Sequence, residues 1–500
     1  MNKLFTKISQ SLLLVLMMSL AFSCKKDGNP NKLPDADISP SLVAPTDGYI
    51  RILAIGNSFS EDAIESHLYE LAKESGKTVI IGNLYIGGAS LDLHKRNIEN
   101  SGAAYDYRKI GADGVKKSFP KVSIETALLD EHWDYISFQQ VSQNSGQLQT
   151  VKDALPAIFN IVKEKALNPN VQYVYHQTWA YQQNADHEGF ANYDRDQMKM
   201  YQAIVNVSKQ LKDIAPIDIV VPAGTAIQNA RTSLVEDNFT RDGYHLTIPF
   251  GRYIAACTWF ETLFKKSAVG MTYKPEGLSA FEASIAQNAA HLAVLKPYEL
   301  TPMTDFQGGN GGPLASAVLI DFGNNAASER WNQLSSFLAG TSASLKDSLG
   351  SYTGIKASIT ARFNGINADG PTSTSTPLNM PSNVSKYSYF GNAKGDFGGM
   401  KIVQSKVELS GLDKDQSYSL SFFGARGGVS DNRETKYICK GSNEVAVALN
   451  TSSNSTNIVV AKAVKPDADG KITITITAGE NNNNGTGFFY ISALRLMSGS

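Results

Sequence analysis

Cysteine is almost missing from this chain: three residues in 500, at Cys24, Cys257 and Cys439. So few thiols, so far apart, make a poor disulfide framework. No Cys/His cluster has the spacing of a zinc site, so neither a structural metal nor any other metal is expected. An excess charge of one sign is missing too. The 46 Lys and Arg balance 47 Asp and Glu to a net −1, and no dense basic block occurs. There is thus no global field to draw nucleic acid or an anionic membrane surface, and no nucleic-acid partner is expected. Long apolar runs are scarce: Leu12 to Met18, continued by Leu20 to Phe22, is too short to span a bilayer comfortably. What is present, 42% apolar and 19% charged residues, suits a soluble chain with a real core. Five hundred residues exceed what one core usually organises, so two folded domains are expected.

The beginning of the chain carries an address. Lys3 and Lys7 precede the short apolar stretch, and small Ser23 stands just before Cys24. A basic start, an apolar run and a small-residue cleavage site describe a signal peptide, here residues 1–23. Ala21-Phe22-Ser23-Cys24 resembles a lipoprotein box, with Ala21 where a branched aliphatic is usual, so Cys24 is the expected lipidation site. Residues 24–48, rich in Pro, Asn, Asp and Ser, read as a tether. The expected location is outside the cytoplasm, anchored by lipid to a membrane, with the outer membrane or cell surface favoured.

From residue 49 to 298, apolar strands alternate with amphipathic helices. Ile50 to Ile55, Val79 to Ile86, Tyr135 to Phe138, Val171 to Tyr175 and Ile217 to Val221 read as strands. Ile64, Leu68, Leu71 and Ala72 fall at helical spacing before Gly76, and helices are expected around Val151 to Ala166 and Gln197 to Ile214. Cys257 lies in a further apolar helix, where an inert buried thiol is the default. The alternation implies βαβ units and an α/β domain with a parallel sheet covered on both faces. Such sheets place their sites beyond the carboxyl ends of strands. Residues 299–313, with Gly308-Gly309-Asn310-Gly311-Gly312-Pro313, read as a linker. Residues 314–500 are rich in Ser, Thr, Asn and Gly, with short runs at Lys401 to Val403, Tyr418 to Phe423, Val445 to Leu449, Ile472 to Ile476 and Phe488 to Ile491. An all-β sandwich is expected there. Sandwiches of this kind often accompany carbohydrate-active enzymes, an analogy that names no ligand.

Two segments carry chemistry. Gly56-Asn57-Ser58-Phe59-Ser60 follows the first strand and opens the first helix, which places Ser58 at the carboxyl edge beside a helix N-terminus. A Ser there is also an ordinary helix cap. Arg241-Asp242-Gly243-Tyr244-His245-Leu246 comes late in the same domain. A hydroxyl needs a base, His is poised to be one, and an Asp three residues earlier can orient its ring.

Together the two segments resemble the SGNH (GDSL-like) hydrolases, particularly a branch of secreted Bacteroidetes lipoproteins of unassigned function. Gly56-Asn57-Ser58 is similar to the block that carries the family's nucleophile, and Asp242 with His245 matches its late Asp-x-x-His. The resemblance spans roughly Tyr49 to Leu263 and implies a flavodoxin-like three-layer fold with Ser58, Asp242 and His245 as catalytic triad. It also implies that Gly88, with Gly87 as a substitute, donates an N–H to the oxyanion. The family's third donor is an Asn after the middle strand. Here the sequence reads Phe138-Gln139-Gln140-Val141-Ser142-Gln143-Asn144, so Gln140 is the expected replacement, with Gln139 and Asn144 as open alternatives. His176, Trp179 and Tyr181 follow another strand and are expected to bind substrate or else to seal the upper core. Asn229 and Arg231 are further pocket candidates by position. The expected activity is a cofactor-free esterase removing O-acyl, most simply acetyl, groups from a polysaccharide or oligosaccharide. The rivals are a lipase or thioesterase using the same triad, and a non-catalytic glycan-binding surface lipoprotein.

Overall fold

The computed structural model describes residues 45–307, 314, 316–323 and 330–499. The expected signal peptide, Cys24, nearly all of the tether and residues 308–313 of the expected linker lie outside the described residues.

The first strand, β1 (Ile50–Gly56), is apolar on both faces and almost wholly buried, as parallel strands covered on two sides must be. Ile52 and Ala54 enter one hydrophobic core while Leu53 and Ile55 enter the other, because successive side chains point to opposite faces. Around β1 stand β2 (Val79–Tyr85), β3 (Tyr105–Ile110), β4 (Lys116–Val122), β5 (Tyr135–Phe138), β6 (Gln172–His176) and β7 (Ile219–Val221), in the spatial order β4-β3-β2-β1-β5-β6-β7. β1 runs parallel to both β2 and β5. The order therefore reverses direction between β1 and β5, the position where open α/β sheets leave a crevice for a ligand.

One face is covered by α1 (Ser58–Ile64), α2 (Leu68–Glu74) and later helices through Ile64, Leu71, Ile227, Trp259 and Ile285; the other takes Leu128 and Ile158. The expected helix after β1 is two helices, interrupted where His67 adopts φ 68. The hairpin β3–β4 extends the sheet antiparallel from β2. The sequence carries no apolar signal for it, because Tyr-Asp-Tyr-Arg-Lys-Ile and Lys-Lys-Ser-Phe-Pro-Lys-Val are too polar to show as core strands.

The β-rich part contains a six-stranded and a five-stranded antiparallel-dominated sheet and a small three-stranded one. In Ile472–Ala478 the strict alternation holds: Ile472, Ile474 and Ile476 are buried and the threonines between them half-buried. These residues meet Leu420, Phe422, Leu494 and Leu496 of the five-stranded sheet in one core, so the sheets form a sandwich. Lys401 to Val403 is not a strand; pairing begins at Gln404, and Val403 is exposed. Among the described residues, no helix is long and apolar enough to cross a membrane.

Residues 299–307 do not behave as a loose connection. Met303 is buried, Thr301 N–H donates to Asn229 Oδ1 (2.7 Å), and Leu234 N–H donates to Phe306 O (2.9 Å). The two parts also touch directly. Ser279 Oγ donates to Tyr352 O (2.7 Å), Ser351 Oγ to Gly277 O (2.7 Å), and Tyr352 N–H to Glu282 Oε1 (3.0 Å). Glu282 also closes a capping box with Ser279 at the start of the helix Ala280–Leu295. Removing this carboxylate leaves two N–H groups without their acceptor. Glu282→Ala is therefore expected to lower the unfolding free energy by about 1–3 kcal/mol in urea titration; an unchanged midpoint would show that the contact between the two parts contributes nothing.

Candidate active site

Ser58 is the first residue of α1, but it does not cap it. That role falls to Asn57, whose Oδ1 accepts from Phe59 N–H (2.9 Å). Asn57 does more. Its Oδ1 also accepts from Gln139 Nε2 (2.7 Å), and its Nδ2 donates to Ala89 O (2.9 Å). One buried amide thus ties together the turns that follow β1, β2 and β5. Gly56 must be glycine, since a Cβ there would lie 2.3 Å from Ser60 Oγ and 2.7 Å from Ser60 Cβ. The turn leaves the Ser58 hydroxyl facing the crevice.

The late segment meets it there. His245 Nε2 stands 2.9 Å from Ser58 Oγ, and His245 Nδ1 stands 2.6 Å from Asp242 Oδ2. A carboxylate can only accept, so Nδ1 carries the proton and the Nε2 lone pair is left for the serine hydroxyl. Asp242 Oδ1 accepts from His245 N–H (2.8 Å) and Tyr244 N–H (3.2 Å). Desolvation pushes the Asp242 carboxyl up, but the hydrogen bonds from the His245 ring and the two backbone N–H groups outweigh it and hold it below the usual 3.8. Gly243 takes φ +92, and a Cβ would lie 2.9 Å from that of Ala185, so only glycine closes this turn. The line serine–imidazole–carboxylate is within reach of proton transfer in one step.

Ser58 and His245 border a cavity of about 270 Å³ with Gly87, Gly88, Tyr85 and Val141. Gly88 has φ +68. Among the described residues, no acceptor is bound to the N–H of Ser58, in the first turn of α1, or of Gly88, in the turn after β2. Ser142, Gln143, His187 and Tyr244 also line it. Another cavity of about 300 Å³, bordered by Lys209, Asp218 and Tyr298, has no histidine in its wall. Among the described residues, no group of three or more His, Cys, Asp or Glu could hold a metal.

Several expected site residues lie elsewhere. Gln140 is corrected: its Oε1 accepts from Leu91 N–H (2.9 Å) and Val141 N–H (2.8 Å), and its Nε2 donates to Thr150 Oγ1 (3.0 Å). Both ends of this buried amide are turned to those partners, and Gln140 is not among the residues that border the cavity. Gln139 is also absent from that border, its buried amide bonded to Asn57 Oδ1 and His176 Nδ1 (2.8 Å). His176, Trp179 and Tyr181 are corrected as substrate contacts, because all three are fully buried. Trp179 stacks on Phe59 at 4.3 Å and donates to Tyr244 O (2.7 Å), and the Tyr181 hydroxyl bonds Ser142 Oγ (2.7 Å). These side chains seal the core beneath the site. Asn229 and Arg231 are buried too, the latter paired with Asp237 at 2.7 Å. Conversely, Ser142, Gln143, His187, Tyr85 and Tyr244 line the cavity without having been singled out. Tyr244 sits inside the Asp-Gly-Tyr-His segment, where its place was readable; His187 lies in a loop with no local signature.

Residues 51–293 match the model of a domain of unknown function, DUF4886. A crystal structure of a DUF4886 family protein from Bacteroides uniformis is 48% identical, with 52% of this chain and 99% of that one covered and a TM-score of 0.51. This chain belongs to the DUF4886 family. Two other solved structures are more distant and add no weight. A candidate SGNH hydrolase from Slackia heliotrinireducens has 20% identity, 43% and 99% coverage and TM-score 0.30. A carbohydrate esterase family 3 protein from Talaromyces cellulolyticus has 11%, 43% and 97%, and 0.28. No curated protein matches the chain.

Burial alone pushes the His176 ring down to about 3 from the ordinary 6.5. The folded protein keeps this ring neutral while the unfolded chain protonates it, so stability is full above pH 6.5 and is lost as pH falls toward about 3. In NMR titration the His176 ring signals are expected to stay flat between about pH 8 and 5. A midpoint near neutrality would mean that the ring is reached by solvent.

Proposed function

We propose that this DUF4886 protein is an exported serine esterase that removes O-acyl groups, acetyl first among them, from a carbohydrate. The observation that carries the reading is the Ser58 Oγ to His245 Nε2 distance of 2.9 Å, with Asp242 2.6 Å behind the ring. His245 takes the hydroxyl proton as Ser58 Oγ attacks the ester carbonyl. Asp242 keeps the proton on Nδ1 and stabilises the imidazolium that forms. The N–H groups of Ser58 and Gly88 receive the negative charge on the former carbonyl oxygen. Collapse breaks the ester C–O bond, passes the proton from His245 to the departing sugar oxygen, and leaves an acyl-enzyme and the free sugar hydroxyl. Water, deprotonated by the same ring, then releases the acid.

A cavity of about 270 Å³ sits at the small end of ligand pockets, which favours a short acyl chain over a fatty one. Tyr85 and Tyr244 in its lining bring aromatic rings, and Ser142, Gln143 and His187 bring polar atoms, a mixture suited to a sugar. Export, and lipid attachment at Cys24 to the outer membrane or cell surface, belong to the same proposal and rest on the sequence of the first residues. They suit a substrate too large to enter the cell.

Purified protein is expected to hydrolyse p-nitrophenyl acetate and to release acetate from acetylated polysaccharides. Ser58→Ala should abolish turnover to within background, and Asp242→Asn should lower kcat by about 10³–10⁴-fold, since the wrong tautomer then faces Ser58. Turnover that survives Ser58→Ala would remove the nucleophile and the proposal with it.

A further inference from the structure

Asp62 lies one helical turn beyond Ser58 on α1, and it is fully buried. A buried carboxylate persists only where it is paired and hydrogen-bonded. Its partners come from two places. Oδ2 accepts from Leu246 N–H (2.8 Å), and Oδ1 accepts from Arg241 Nη1 (3.1 Å). Oδ1 also accepts from Arg252 Nε (2.8 Å), whose Nη2 stands 2.7 Å away. Arg252 belongs to the helix Phe250–Phe264. Arg241 and Leu246, however, are the immediate neighbours of Asp242 and His245.

The segment is closed at its base. Arg241 N–H donates to His245 O (2.8 Å), Thr240 and Leu246 form a β-bridge, and Arg241 Nη1 donates to Leu246 O. The loop carrying the acid and the base thus stands on Asp62 at both of its ends. Residues four apart on a helix share a face. The single face of α1 therefore presents two oxygens to one loop, Ser58 Oγ to the His245 ring and Asp62 Oδ2 to the next residue's N–H.

We infer that Asp62 is a positioning residue for the esterase chemistry: by holding Arg241 and Leu246 it sets the height of the His245 ring over Ser58, and so governs the rate of acyl-enzyme formation rather than substrate affinity. This rests on the esterase reading. Around the carboxylate stand Arg241 from the loop and Arg252 from the helix behind it, with Glu61 reaching Arg252 at 3.5 Å. Asp62→Asn keeps the shape of the side chain but turns one acceptor into a donor. It leaves Leu246 N–H or an arginine unmatched and relaxes the loop. Displacement of a base by an ångström can cost about a hundredfold in rate.

A fluorophosphonate probe that phosphonylates activated serines separates the possibilities. Wild type should label once per chain and Ser58→Ala not at all; failure at this point would sink the esterase reading itself. Asp62→Asn should label to the same final extent but about ten- to a hundredfold more slowly, with kcat on p-nitrophenyl acetate reduced in parallel and KM within about twofold. Glu61→Gln, which touches Arg252 but not the loop, should stay within about threefold of wild type. If Asp62 serves only folding, the labelled fraction falls while the rate constant of that fraction is unchanged, and the inference is overturned. Should Asp62→Asn not fold, Arg241→Met decides, because Asp62 then keeps Arg252 and Leu246 as partners. Labelling at the wild-type rate in that variant overturns the proposal as well.

Discussion

Ser58 and His245 are 187 positions apart in sequence, yet a single hydrogen bond of 2.9 Å joins them. That contact is a demand on the whole α/β layer. An extended strand must end at Gly56 without room for a side chain, a helix must begin at the next residue but one, and a loop closed by the last helices must return to the same sheet edge. Reversal of strand order beside β1 opens the crevice in which this can happen. Asn57 then fixes the three turns around it with one side chain, and Asp62 fixes the returning loop. Asn57, Gln139, Gln140 and Asp62, all buried, are thus occupied in holding geometry.

Much of this was legible in the sequence because it is written in local patterns. The parallel strands read as apolar runs since both of their faces are buried, and Ile472 to Ile476 read as a sandwich strand since only alternate residues are. Ser58, Asp242 and His245 stood out because a strand-to-helix serine and an Asp-x-x-His segment are short motifs with a resemblance to support them. The antiparallel hairpin at Tyr105–Ile110 and Lys116–Val122 was illegible for the opposite reason. It lies at the sheet edge, where polar residues such as Lys116 and Lys117 are exposed and the apolar signal is thin.

Side-chain direction was the other thing the sequence withheld. Gln140 has the right chemistry and the right neighbourhood, but its amide faces Leu91, Val141 and Thr150. His176, Trp179 and Tyr181 follow β6 to the correct edge, yet they turn inward under the site. A residue number fixes the end of a strand to within a residue or two. Which side of the backbone a side chain takes there depends on packing from segments far away, in this case Phe59, Trp259 and Ser142.

The inward turn of those residues has a chemical consequence. Phe59 stacked on Trp179, with a neutral His176 behind, gives the serine and the inner side of the imidazole a dry floor. The Asp242 carboxylate, by contrast, keeps 39% of its side chain exposed, against 20% for His245. Low dielectric strengthens hydrogen bonds and penalises unpaired charge. Within the triad, the carboxylate is therefore the member nearest to water, and the imidazole is the more sheltered one. Asp242 is aligned with the Nδ1 side of the His245 ring, opposite Ser58. The serine is thus approached from the cavity side, while its other side rests on packed aromatic rings.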